Sequence, residues 1–115
     1  MIIGTGIDVV DIARFGESLE RTPLLLDRLF TEAEKHLPLP SLAARFAAKE
    51  AMAKALDKKE IFSFLGVEVF NHPSGKPDFR FNGEMAEYLK SARIHLTLSH
   101  DAGIASAMVI VEEVP

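Results

Sequence analysis

A chain of 115 residues has room for one domain, residues 1–115, whose folding takes roughly 65% of the unfolded surface out of water. Its 48% apolar and 26% charged residues are those of a soluble globular protein, with no apolar run near the ~20 residues of a membrane span. A net charge of −4 with scattered Lys and Arg argues against a nucleic-acid surface, and the absence of cysteine excludes disulfides and thiolate metal sites. MIIGTGIDVV has neither the basic n-region nor the cleavage pattern of a secretory signal, so the cytosol is the expected location and no membrane is expected as a partner. A core this small would gain from association with further copies.

Residues 2–9, IIGTGIDV, read as a buried strand carrying two glycines. Asp11 is placed to cap a helix with Ile12, Phe15 and Leu19 on its apolar side, and Pro23 ends or bends that helix. A short helical stretch follows over residues 24–29. Thr31 with Glu34 three residues later has the form of a capping box. Pro38 and Pro40 break the chain before a long helix expected from Ser41 to Lys59. Residues 64–70 read as a strand, 71–77 (NHPSGKP) as a turn, 79–81 as the return strand and 84–91 as a short helix. Residues 94–99 and 104–112 form a closing hairpin around 100–103. The order β-α-α-β-β-α-β-β predicts a single small α+β domain, with one long central helix packed on a mostly antiparallel sheet.

The charges in RFAAKEAMAKAL (45–56) raise the chemical question. On a wheel of 100° per residue, Lys54 and Phe46 each lie about 40° from Glu50, and Ala48, Ala51 and Ala55 form a side of small residues that permits close approach of backbone. One reading is a solvated Glu–Lys pair worth a few tenths of a kcal/mol. Asp8 opens another, since a carboxylate in so apolar a strand is either a turn residue or a group with a partner. If the strand packs beside the long helix, Asp8 and Glu50 converge. Two bare carboxylates ~4 Å apart repel by ~4 kcal/mol at an effective dielectric of 20. A hard ion such as Mg²⁺, which keeps waters and takes up phosphate oxygens, removes that repulsion. His100, read where a strand ends and a tight turn begins, is either an exposed turn histidine or a group aimed at the rim of the sheet. Ser99 reads as a turn hydrogen-bonder, with no triad partner at telling spacing.

GIDVVDIARF (6–15), FTEAEK with RFAAKEAMAKAL (30–35 and 45–56) and LSHDAGIASAMVI (98–110), in that order, resemble the holo-acyl-carrier-protein synthases, the small trimeric type of 4′-phosphopantetheinyl transferase. The resemblance implies that Asp8 and Glu50 hold Mg²⁺ as cofactor on the pyrophosphate of coenzyme A. It further implies that a serine of apo-acyl carrier protein, discrete or a domain of a synthase, takes the phosphopantetheine arm and adenosine 3′,5′-bisphosphate leaves, a step of fatty-acid and lipid metabolism. Glu50 and Lys54 become the catalytic pair. Arg45, Lys49, Lys54, His100 and Lys76 (in Gly75-Lys76-Pro77) become the coenzyme A set, with Lys49 alternatively serving a neighbouring subunit. Arg14, Arg21 and Arg28 become the docking surface for the acidic carrier. Homotrimers with sites between subunits are implied as well. The chain departs from the family pattern where relatives run into a glycine-rich turn, having Asp57-Lys58-Lys59-Glu60 instead, and in the short segment before the long helix. Competing readings are a Mg²⁺-dependent phosphohydrolase acting on a nucleotide and a non-catalytic assembly module.

Overall fold

In the computed structural model, which describes residues 1–115, Ile2–Asp11 forms strand β1 and Asp11 caps the helix that follows. The Asp11 carboxylate accepts from the Arg14 N–H at 3.0 Å, and helix α1 runs Ile12–Arg21 with Phe15 buried. Helices α2 (Leu25–Leu29) and α3 (Leu39–Ala55) come next. The hairpin β2 (Val67–Asn71) and β3 (Pro77–Phe81) leads to α4 (Gly83–Tyr88) and the closing hairpin β4 (Ala92–Asp101) and β5 (Ile104–Glu113). The expected α+β order holds, and the short helical stretch expected over 24–29 is α2, which the eight-element order leaves out. All strand pairs are antiparallel, divided between a three-stranded sheet, β1-β5-β4, and the separate pair β2-β3.

Helix α3 differs from its expected range at both ends. It starts two residues before Ser41, with Pro40 inside its first turn, where the missing N–H has no intrahelical partner to lose. It stops at Ala55 rather than Lys59 because Lys59 folds back over the end. The Lys59 ammonium donates to the carbonyls of Ala53 (3.1 Å), Lys54 (3.5 Å) and Leu56 (3.1 Å) at the helix end, of which only that of Ala53 also accepts a backbone N–H, from Leu56 at 3.3 Å.

His100 also moves. The turn of the last hairpin is only Ala102-Gly103, at φ +51° and +78°, the signs of a type I′ turn. His100 therefore pairs with Ala105 inside β4 rather than sitting in a turn.

The three-stranded sheet has two unlike faces. On one, Gly4, Gly6, Asp8 and Val10 stand in rows with Val111, Val109, Ala107 and Ala105, and α3 covers this face. An added Cβ at Gly4 would lie 2.1 Å from the Ala55 carbonyl oxygen, and at Gly6 1.8 Å from that of Ala51, so glycine alone lets strand and helix approach this closely. The small-residue side of α3 is thus the side that meets β1. The opposite face is open: Ile7 is 64% and Val9 66% exposed, flanked by Ile104 and Met108. The strand expected to be buried is buried on one face only.

Because the Gly6 clash is with backbone, no rotamer change relieves it. Gly6→Ala should cost about 3 kcal/mol or more in urea denaturation, where an alanine at an open strand position costs well under 1 kcal/mol.

Candidate active site

Strand alternation puts Asp8 on the helix-covered face, two residues beyond Gly6. The Lys54 ammonium reaches across from α3 and bonds Asp8 Oδ1 at 3.0 Å and the Ile7 carbonyl at 2.9 Å. Glu50, one turn earlier on α3, is half-buried and accepts no hydrogen bond from the protein. Burial first, and then the Asp8 charge, raise its pKa above the ordinary carboxylate value, while Lys54 pulls the other way. Asp8 and Glu50 line the same cleft, of about 290 Å³, together with Asp11, Arg14, Phe15 and Phe46, and Lys54 joins them through its bond to Asp8. Phe46 stacks on Phe15 at 4.8 Å and makes the floor apolar.

The cluster fits a hard divalent ion of a particular kind. It offers two carboxylates, one of them without a protein partner, and nowhere do three or more Asp, Glu or His side chains gather as a complete ligand set. An ion that keeps water or substrate oxygens in its shell, as Mg²⁺ does, suits such a donor pair. Lys54, expected on a phosphate, stands on Asp8 instead.

A second cluster lies on the other side of α3. Arg45 is about 140° from Glu50 around the helix axis. It is largely buried, with Nε donating to the Val69 carbonyl at 3.3 Å and Nη2 to Asn71 Oδ1 at 2.7 Å. Burial lowers its pKa, a shift that Glu34 opposes. His100 shares with it a pocket of about 210 Å³ that Ser41 and Asn71 also line. Asp8 lies on β1 and His100 on β4, the two edges of the sheet. Within one copy, then, Arg45 and His100 do not meet Asp8, Glu50 and Lys54. Lys76 is exposed in the β2–β3 turn and forms no ion pair. Arg14, Arg21 and Arg28 are exposed and likewise unpaired, but only Arg14 reaches the cleft.

Lys49 is the correction. Its side chain is 0% exposed, so it can touch neither coenzyme A nor a neighbouring subunit. Its three donors go to the Leu29 carbonyl (2.7 Å), Glu34 Oε1 (2.7 Å) and the Phe64 carbonyl (3.0 Å). Glu34, 1% exposed, also accepts from the Thr31 N–H (2.9 Å) and the Val69 N–H (2.8 Å). The Thr31 N–H to Glu34 bond is half of the expected capping box. The other half is absent: the Glu34 N–H donates to the Thr31 carbonyl at 3.0 Å rather than to its hydroxyl, which donates to Glu68. Asn71 was not singled out by sequence, where it carries only a turn signal.

Removing one partner of a buried ion pair strands the other charge. Lys49→Met should destabilise the fold by about 3–5 kcal/mol in urea, far more than an exposed Lys58→Met.

The profile of the 4′-phosphopantetheinyl transferase superfamily matches residues 4–107. The chain is 52% identical to the holo-[acyl-carrier-protein] synthase of Clavibacter michiganensis subsp. michiganensis, with 97% of each chain covered. It resembles the solved acyl carrier protein synthase of Mycobacterium tuberculosis at a TM-score of 0.81 and 34% identity, covering 99% of this chain and 100% of that one. The holo-(acyl-carrier-protein) synthase of Bacillus anthracis, solved in complex with CoA (3′,5′-ADP), matches at a TM-score of 0.82 and 33% identity, with 99% of each chain covered.

Proposed function

The chain belongs to the 4′-phosphopantetheinyl transferase superfamily, and we propose that it transfers the 4′-phosphopantetheine group of coenzyme A to a serine of an apo-acyl carrier protein, with Mg²⁺ as cofactor and adenosine 3′,5′-bisphosphate as the product released. The observation that carries this reading is the convergence of Asp8 and Glu50 on one cleft. Solved relatives are described as complexes with coenzyme A, which supports that donor.

Phosphoryl transfer asks chiefly for positioning and charge neutralisation. Asp8 and Glu50 are the residues that would hold Mg²⁺, which when bound supplies Lewis-acid stabilisation to the pyrophosphate. Lys54 is within reach of the same carboxylate, so once Asp8 is otherwise neutralised its ammonium is free to turn to a phosphate oxygen. Phe15 and Phe46 exclude water from one side of the cleft. Arg14 stands at its edge, and with Arg21 and Arg28 it offers an acidic carrier the local positive charge that the chain as a whole lacks.

The division of the cationic residues between two faces of α3 supports an assembly in which one copy supplies Asp8, Glu50 and Lys54 and a neighbour supplies Arg45 and His100. The open apolar face of β1 and β5 is surface such an assembly would bury. We read the assembly as a homotrimer acting in the cytoplasm.

Incubation with coenzyme A, Mg²⁺ and an apo-carrier protein, followed by weighing the carrier, tests the transfer. The carrier should gain one phosphopantetheine; phosphate release with no gain in carrier mass would point to a hydrolase instead. Glu50→Gln should lower the rate roughly 100-fold or more with an unchanged melting curve. Near-normal turnover in that variant would remove the metal assignment.

Shared sites make a separate prediction. Glu50→Gln copies and Arg45→Met copies, each weakly active alone, should recover activity when unfolded and refolded together, because some mixed sites then carry both intact halves. If each site lay within one copy, the mixture would show only the average of the two.

A further inference from the structure

We propose that Asn71 is the positioning residue of the Arg45–His100 half-site, its side-chain amide locking the guanidinium of α3 to the turn that carries Lys76. The inference rests on the coenzyme A reading above and adds a residue and a role to it.

The amide is used at both ends. Its Oδ1 accepts from Arg45 Nη2 at 2.7 Å, and its Nδ2 donates to the Gly75 carbonyl at 2.9 Å. Only a side chain with one acceptor and one donor can serve both partners, because a guanidinium has no acceptor to offer and a carbonyl has no donor. Asn71 is therefore fixed in one orientation by its neighbours.

The turn does not need Asn71 to form. The Gly75 N–H donates to the His72 carbonyl at 2.8 Å and the His72 N–H to that of Lys76 at 2.9 Å, with Gly75 at φ +93°. His72 Nε2 and Asp78 Oδ2, 2.8 Å apart, fasten the base of the hairpin. What Asn71 adds is a tie from this hairpin across to α3. The residue is exposed and lines the pocket of Arg45 and His100, so it is not a packing element of the core.

Arg45 is held on its other side by the Val69 carbonyl, through Nε at 3.3 Å. Nη1 has no protein partner and remains the donor for an anionic ligand. A guanidinium held at Nε and Nη2 presents Nη1 in one direction, and the same amide fixes the turn bearing the Lys76 charge. An anionic group of coenzyme A thus meets a site ordered before it binds.

The test separates binding of the two substrates. Asn71→Ala should raise the KM for coenzyme A about tenfold, the usual worth of a hydrogen bond to a charged group, with kcat within about twofold. The KM for the carrier protein should stay at the wild-type value, which a general loosening of the fold would not spare. Because Asn71 acts through Arg45, Asn71→Ala placed in an Arg45→Met background should add little to the loss from Arg45→Met alone. An unshifted KM for coenzyme A in Asn71→Ala, or a double variant whose loss is the product of the two single losses, would overturn the inference while leaving an active wild type and its transferase reading intact. A wild-type protein that fails to transfer the group at all would overturn both.

Discussion

Backbone touching backbone, between β1 and α3, is the contact on which the rest of the structure depends. Gly4 and Gly6 leave no side chain between the strand and the carbonyls of Ala55 and Ala51. Two residues after Gly6, on the same face of the strand, stands Asp8. One residue before Ala51 stands Glu50. The distance at which those carboxylates face each other is thus set by a contact with no soft side chain in it. A bulkier pair of residues there would hold the strand off the helix and part the acids.

Neighbours on α3 meet opposite fates because a helix turns 100° at each residue. Glu50 faces the cleft, while Lys49 points into the core and is saturated by Leu29, Glu34 and Phe64. Burying an ammonium is costly: burial first, and to a lesser degree the Arg45 charge, lower the Lys49 pKa against the opposing pull of Glu34 and Glu68. The pair is therefore weak evidence for net stability. Its geometric effect is plainer. It joins α3 to the end of α2, the Thr31 turn and, through Val69, to β2. Glu50 therefore rides on a helix held on one side by glycine contacts and on the other by an ion pair.

Much of this was legible in the sequence. The Asp11 cap and the order of elements follow from local chemistry, and so does the match between the two glycines of the strand and the small side of α3. The Asp8–Glu50 pair needed only the further idea that this strand lies on that helix. What failed depended on partners distant in sequence. Lys49 enters the coenzyme A set through the resemblance alone, and nothing local shows that Glu34, fifteen residues earlier and itself with the look of a simple cap, takes up its charge. The end of α3 was misplaced because Lys59 stops the helix from outside, where propensity alone favours continuing. His100 was put in a turn because a four-residue connection was assumed where two residues, Ala102 and Gly103, close the hairpin.

The Lys59 contact carries a consequence of its own. A single exposed ammonium bonds three carbonyls at the negative end of α3, two of them (Lys54 and Leu56) with no other donor, where many helices use a glycine whose backbone cannot be chemically modified. Acylation of that one amine would remove the donor and its charge together, and the segment left to fray is the last turn, which carries Lys54. A modification well outside the cleft would in that way reach the cation poised over Asp8, giving the enzyme a sensitivity to lysine acylation that glycine-ended helices do not share.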